Sequence, residues 1–145
     1  MRALISFLWG MITCLIVLPI NTYLQMEELY LCLIEVVLMS VIFYYYYSNI
    51  EVGALLGLIT GLGYVIILET VRVFTESVVC PPFFIIYPFI GAVLGGGIST
   101  MKEFKTPRGK IFGFVATFLS YLVSVILLYI FKTYFYPTCI TVEIA

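Results

Sequence analysis

Glu69 and Arg72 stand three residues apart at the end of a long apolar run, Glu76 follows one turn later, and Glu35 interrupts another apolar run with no charged neighbour close in sequence. On a helix, residues three and four apart share a face, so Glu69, Arg72 and Glu76 can meet. Ionisable side chains inside apolar segments are costly and are functional candidates by default. Two readings follow for a polar cluster of Glu35, Glu69, Arg72 and Glu76: a recognition or partner-contact site, or simple neutralisation of Glu69 by Arg72 at a membrane interface. Glu35, deeper and without a local partner, is the sharper signal.

The residue inventory narrows the chemistry. The sequence contains no His, and every acidic residue is Glu. The usual imidazole base, the commonest metal ligand and Asp-dependent phosphoryl-transfer motifs are therefore absent. No pair of the four cysteines has metal-ligand spacing. No catalytic residue, metal site or cofactor is expected, and the reading is of a protein that is not an enzyme.

The elements that must position these groups are membrane spans. Hydrophobic residues make up 63% of the 145 positions and charged residues 10%, with a mean hydropathy of +1.18. A soluble domain carries roughly a quarter charged residues. The chain reads as an all-α, polytopic bundle in a single transmembrane domain, 1–145, with about five spans of about 20 residues each. They are placed at 3–20, 29–47, 52–71, 83–100 and 111–131. A polar loop at 21–28 follows the first span, which is read as retained because no small-residue cleavage site follows it. The third helix is expected to continue toward Cys80, since Pro81 and Pro82 are the first strong breakers. Pro88 is expected to kink the fourth span, and the triple glycine 95–97 to unwind its end.

Small residues repeat along these spans. Gly53, Gly57 and Gly61 recur every fourth residue, Gly91 and Gly95 repeat the spacing, and Gly113, Thr117, Ser120 and Ser124 form a narrow strip. Such faces let helix backbones approach closely in lipid. The first repeat is expected to be the seam against which the fourth or fifth span closes.

Charge sets the orientation. The segment 101–110 holds Lys102, Lys105, Arg108 and Lys110, four of the seven basic residues. By the positive-inside rule this loop is cytoplasmic, which puts the N-terminus inside and the C-terminus outside. Its role is topology determination with attraction to anionic headgroups, or docking of a cytoplasmic protein. Four tyrosines at 44–47 mark a membrane interface. Cys14 and Cys32 read as packing residues, whereas Cys80 and Cys139 both fall outside. A disulfide between those two would tie the third loop to the C-terminal tail in an oxidising compartment.

The order of an early polar loop, a Tyr-ended span, the Gly53, Gly57 and Gly61 repeat, then Tyr87 followed by Gly91 and Gly95, resembles the middle of the rod-shape-determining MreD family. It is also similar to the Gly-rich substrate-binding subunits of energy-coupling-factor vitamin transporters. The resemblance covers about residues 29–97 and carries over no functional residue. Glu69 comes later than the acidic residue usual in MreD proteins, and one span instead of two follows the basic loop. The resemblance implies a non-catalytic bacterial membrane subunit that holds a morphogenetic complex together.

Two function classes stay open. One is an assembly subunit of a larger cell-membrane complex, its partners being the lipid bilayer and other membrane subunits or further copies of itself, without nucleic acid. The other is a solute-binding or transport subunit with an outward-facing pocket around Glu35, Glu69 and Arg72. A cavity reaching Glu35 would favour the second class, and a flat apolar face beside a packed polar cluster the first.

Overall fold

The computed structural model describes residues 2–24, 27–46, 49–103, 106–134 and 140–141. Five helices and two short strands follow one another: α1 (Arg2–Leu24), α2 (Glu28–Tyr46), α3 (Ile50–Glu76), β1 (Val78–Val79), α4 (Phe83–Glu103), α5 (Pro107–Tyr134) and β2 (Ile140–Thr141). Four helices are long and apolar enough to cross a membrane, over Ala3–Tyr23, Ile50–Thr75, Phe83–Met101 and Pro107–Tyr134. That is the architecture of a multi-pass membrane protein. The apolar stretch of α2, Leu29–Phe43, is shorter.

The helices run further than hydropathy suggests. The first passes through Pro19 and ends at Leu24, so much of the expected polar loop is helical. The basic segment is largely helical too, because α4 continues to Glu103 and α5 begins at Pro107. The third helix stops earlier than Cys80. Asn49 caps its start by accepting from the Glu51 N–H at 2.9 Å. At its end Ser77 takes the left-handed conformation (φ 56°, ψ 37°) and its N–H reaches the Arg72 carbonyl. This turn directs the chain into β1, which pairs antiparallel with β2 in the register Val78↔Thr141 and Val79↔Ile140. The expected unwinding at 95–97 does not occur. Helix α4 is continuous through the triple glycine, and no glycine has positive φ.

Glycine contacts explain why. A methyl group on Gly57 would overlap the Gly91 carbonyl, and one on Gly91 would overlap the Gly57 carbonyl. Gly53 lies likewise on Gly95, and Gly61 on the backbone of Tyr87 and Pro88. The seam therefore closes with α4, whose backbone lies directly against that of α3 over this length. A second close approach, unforeseen from the repeat, sets Gly10 of α1 on the Thr60 carbonyl of α3. Helix α3 is thus central, with α1 on one side and α4 on the other.

On the far side of α4, the strip on α5 is buried at Gly113, Thr117, Ser120 and Ser124. Gly113 packs on the backbone of Thr100 and Met101, and the Thr117 hydroxyl donates to the Gly97 carbonyl at 3.0 Å. Helix α2 closes the ring by packing on α1, α4 and α5. Trp9 Nε1 donates to the Leu38 carbonyl at 3.0 Å, and Ser40 and Tyr121 share a hydroxyl hydrogen bond. Thr117, Trp9, Ser40 and Tyr121 thus find partners on another helix, whereas the buried Ser99 and Ser124 hydroxyls have none among the described residues.

Candidate functional site

Helices α2, α3, α4 and α5 all present polar residues where the buried face reaches the end of the bundle that carries β1 and β2. On α2, the buried residues Leu31, Cys32, Val36 and Met39 define the inward stripe, and Glu35 lies within it, 2% exposed. It sits seven residues into the helix, about 10 Å from its start at 1.5 Å per residue. On α5, the strip spaced by threes and fours runs through Leu128, which is 1% exposed, and its next member is Lys132. Lysine in the last turn of a helix also meets the negative end of the helix dipole.

Glu35, without a charged neighbour close in sequence, finds its partners on other helices. Its Oε1 accepts from Lys132 Nζ at 2.6 Å and its Oε2 from the Tyr87 hydroxyl at 3.1 Å. The Tyr64 side chain reaches the same carboxylate. Tyr64 and Tyr87 stack with ring centroids 4.7 Å apart. Their proximity follows from the glycine seam, because Gly61, one turn before Tyr64, rests on the backbone of Tyr87. A buried carboxylate balanced by an ammonium and at least one phenol is satisfied both in charge and in hydrogen bonding.

The second ion pair lies within α3. Arg72 Nη1 donates to Glu69 Oε1 at 3.1 Å, and Glu69 Oε2 accepts the Cys80 N–H at 2.9 Å. Glu69 therefore does two things: it neutralises Arg72 and pins the turn beyond β1. The guanidinium is also seated over the Phe83 ring, 4.8 Å from its centroid. Cys80 is disulfide-bonded, while Cys14 and Cys32 are free and buried. Cys139, Lys105 and the side chains of Glu76 and Lys102 lie outside the described residues, and Arg108 and Lys110 are exposed at the opposite end of the bundle.

Between the two ion pairs lies a cavity of about 680 Å³ to which all five helices contribute. It is lined by the apolar Val17, Leu31 and Leu68 and by the polar Glu35, Arg72, Lys132, Tyr64 and Tyr87. Asn21, Thr22, Thr75 and Thr133 also border it, and all four are exposed, so it opens at the bundle end. The Thr22 and Thr75 hydroxyls donate to the Leu18 and Val71 carbonyls at 3.0 and 2.7 Å and meet the cavity as acceptors. Glu69 does not border it.

The expected cluster thus divides. Glu35 and Arg72 share a cavity, Glu69 stands behind Arg72 as its anchor, Tyr64 joins from the same helix α3, and Tyr87 and Lys132 join from α4 and α5. Lys132 falls just past the apolar run that defines the fifth span, but the small-residue strip continued by one step points to it. Among the described residues no group of three His, Cys, Asp or Glu is placed to hold a metal ion. Comparison with models of protein families, with curated proteins and with solved structures gives no match to this chain.

Proposed function

We propose that this protein is a non-enzymatic, integral membrane solute-binding or transport subunit, its cavity facing the extracytoplasmic side. One observation carries the reading: five helices converge on an open cavity whose floor is a balanced Glu35–Lys132 pair and whose wall is the anchored Arg72. About 680 Å³ falls within the range of small-molecule sites, roughly 300–1,000 Å³. Two features support the orientation. The basic residues Arg108 and Lys110 lie exposed at the end remote from the cavity, as the positive-inside rule asks of a cytoplasmic face. The disulfide at Cys80 belongs to the cavity end, and disulfides persist in oxidising compartments. Both fit a cell-membrane location.

The test is direct. Val71→Cys, on the cavity wall, should react with a charged, water-soluble thiol reagent added to the outside of cells, and native mass spectrometry of gently purified protein should show a bound small molecule. An unreactive Val71→Cys together with an empty protein would overturn the reading.

A second reading, an assembly subunit of a membrane complex such as the bacterial cell-shape machinery, is favoured by α5. Its outer face shows Phe112, Phe114 and Phe118 at 59%, 69% and 66% exposure, a surface that another membrane helix could cover. Cross-linking from Phe118 to a distinct membrane protein would support it, and capture of lipid alone would not.

A further inference from the structure

The ligand class can be named from the charges that border the cavity, an inference that rests on the solute-binding reading above. Three ionisable side chains line it, Arg72, Lys132 and Glu35, and Glu69 stands behind Arg72. The Glu35 carboxylate is already engaged at both oxygens, by Lys132 and by Tyr87. It is a poor receptor for an incoming ammonium, which would have to displace a contact of 2.6 Å. Arg72 is different. Glu69 holds it from behind and Phe83 from one face, so the guanidinium is fixed in orientation. A planar fork of donors held in place is suited to planar or tetrahedral oxyanions. Aliphatic side chains also line it, Val17 and Leu18 from α1 among them, and the two tyrosine rings add to that apolar surface.

We infer that the cavity takes an amphipathic organic anion, its carboxylate or phosphate on the Arg72 guanidinium and its apolar body against the α1 wall. The same chemistry arrives either as a free solute from outside or as the headgroup of an anionic lipid.

Calorimetry on the full chain in phosphatidylcholine nanodiscs, with phenyl phosphate, phenylacetate, phenylacetamide and phenethylamine as probes, tests this. The two anions should bind at least tenfold more tightly than the amide or the amine. Arg72→Gln should weaken phenyl phosphate at least tenfold. Arg72→Lys, which keeps a cation beside Glu69 and so controls for folding, should show a smaller loss. Native mass spectrometry from nanodiscs containing phosphatidylglycerol separates the sources: a retained phosphatidylglycerol displaced by phenyl phosphate identifies a lipid ligand, and anion binding without retained lipid identifies a free solute. Binding of the amide or the amine as tightly as the anions would overturn anion selection and leave the solute-binding reading in place. Failure of all four probes to bind, with no retained lipid, would overturn both.

Discussion

Lys132 Nζ lies 2.6 Å from Glu35 Oε1, a contact that joins the last helix to the second across 97 positions of sequence. Both side chains are almost fully buried, at 9% and 3% exposure. The two cover each other's desolvation cost.

Removing one member should therefore cost more than removing both. Lys132→Met or Glu35→Leu alone should destabilise by about 3–5 kcal/mol, because each leaves an uncompensated buried charge. The double variant Glu35→Leu with Lys132→Met should recover most of that loss. Denaturant unfolding in mixed micelles, run as a double-mutant cycle, measures it. Additive single effects would show that the pair is not coupled.

Tyr87→Phe isolates the hydrogen bond to Glu35 from the stacking on Tyr64. A hydrogen bond to a charged group contributes about 1.5–3 kcal/mol, and the ring contact is retained. The expected loss falls in that range, and no change in stability would remove Tyr87 from the carboxylate's support.

Along the α3–α4 seam, the cost of a methyl group should depend on what it meets. Gly57→Ala drives a carbon into the Gly91 carbonyl, so the helices must separate, at about 1–3 kcal/mol or more; Gly57→Leu should prevent folding. Gly96→Ala should be well tolerated, since its nearest side-chain atoms are 3.6 and 3.9 Å away. Thermal unfolding of the variants side by side checks the contrast.

The clasp at the cavity end is open to a chemical test. The strand register Val79↔Ile140 leads in sequence directly to Cys80 and Cys139, and replacing Cys139 with Ser should abolish the disulfide made by Cys80. Reduction should slow gel mobility under denaturing conditions and lower stability by about 2–4 kcal/mol. Free alkylation of both thiols in the unreduced protein would exclude this pairing.

Orientation can be read by labelling. Thr75→Cys should react from outside the cell and Arg108→Cys only after permeabilisation, both positions being exposed at opposite ends of the bundle. Replacing Lys102, Lys105, Arg108 and Lys110 together with Gln should disturb this pattern. The reverse labelling would invert the topology.

The sequence by itself determined that the chain is a bundle of apolar helices, because composition and run length reflect the cost of exposing backbone and side chains to lipid and need no knowledge of partners. It also marked the residues that matter within a single helix: the Gly53, Gly57 and Gly61 face, the strip from Gly113 to Ser124, and the Glu69–Arg72 pair, all of which are set by a helical period of 3.6. What joins one helix to another was decided only by the tertiary structure. That Gly57 meets Gly91, that Tyr64 stacks on Tyr87, and that Lys132 answers Glu35 depend on which helix lies beside which and at what height. Neither hydropathy nor periodicity encodes that, because lipid-facing and partner-facing apolar residues look alike. The isolated Glu35 was the one residue whose chemistry demanded a partner, and only the assembled bundle supplied it.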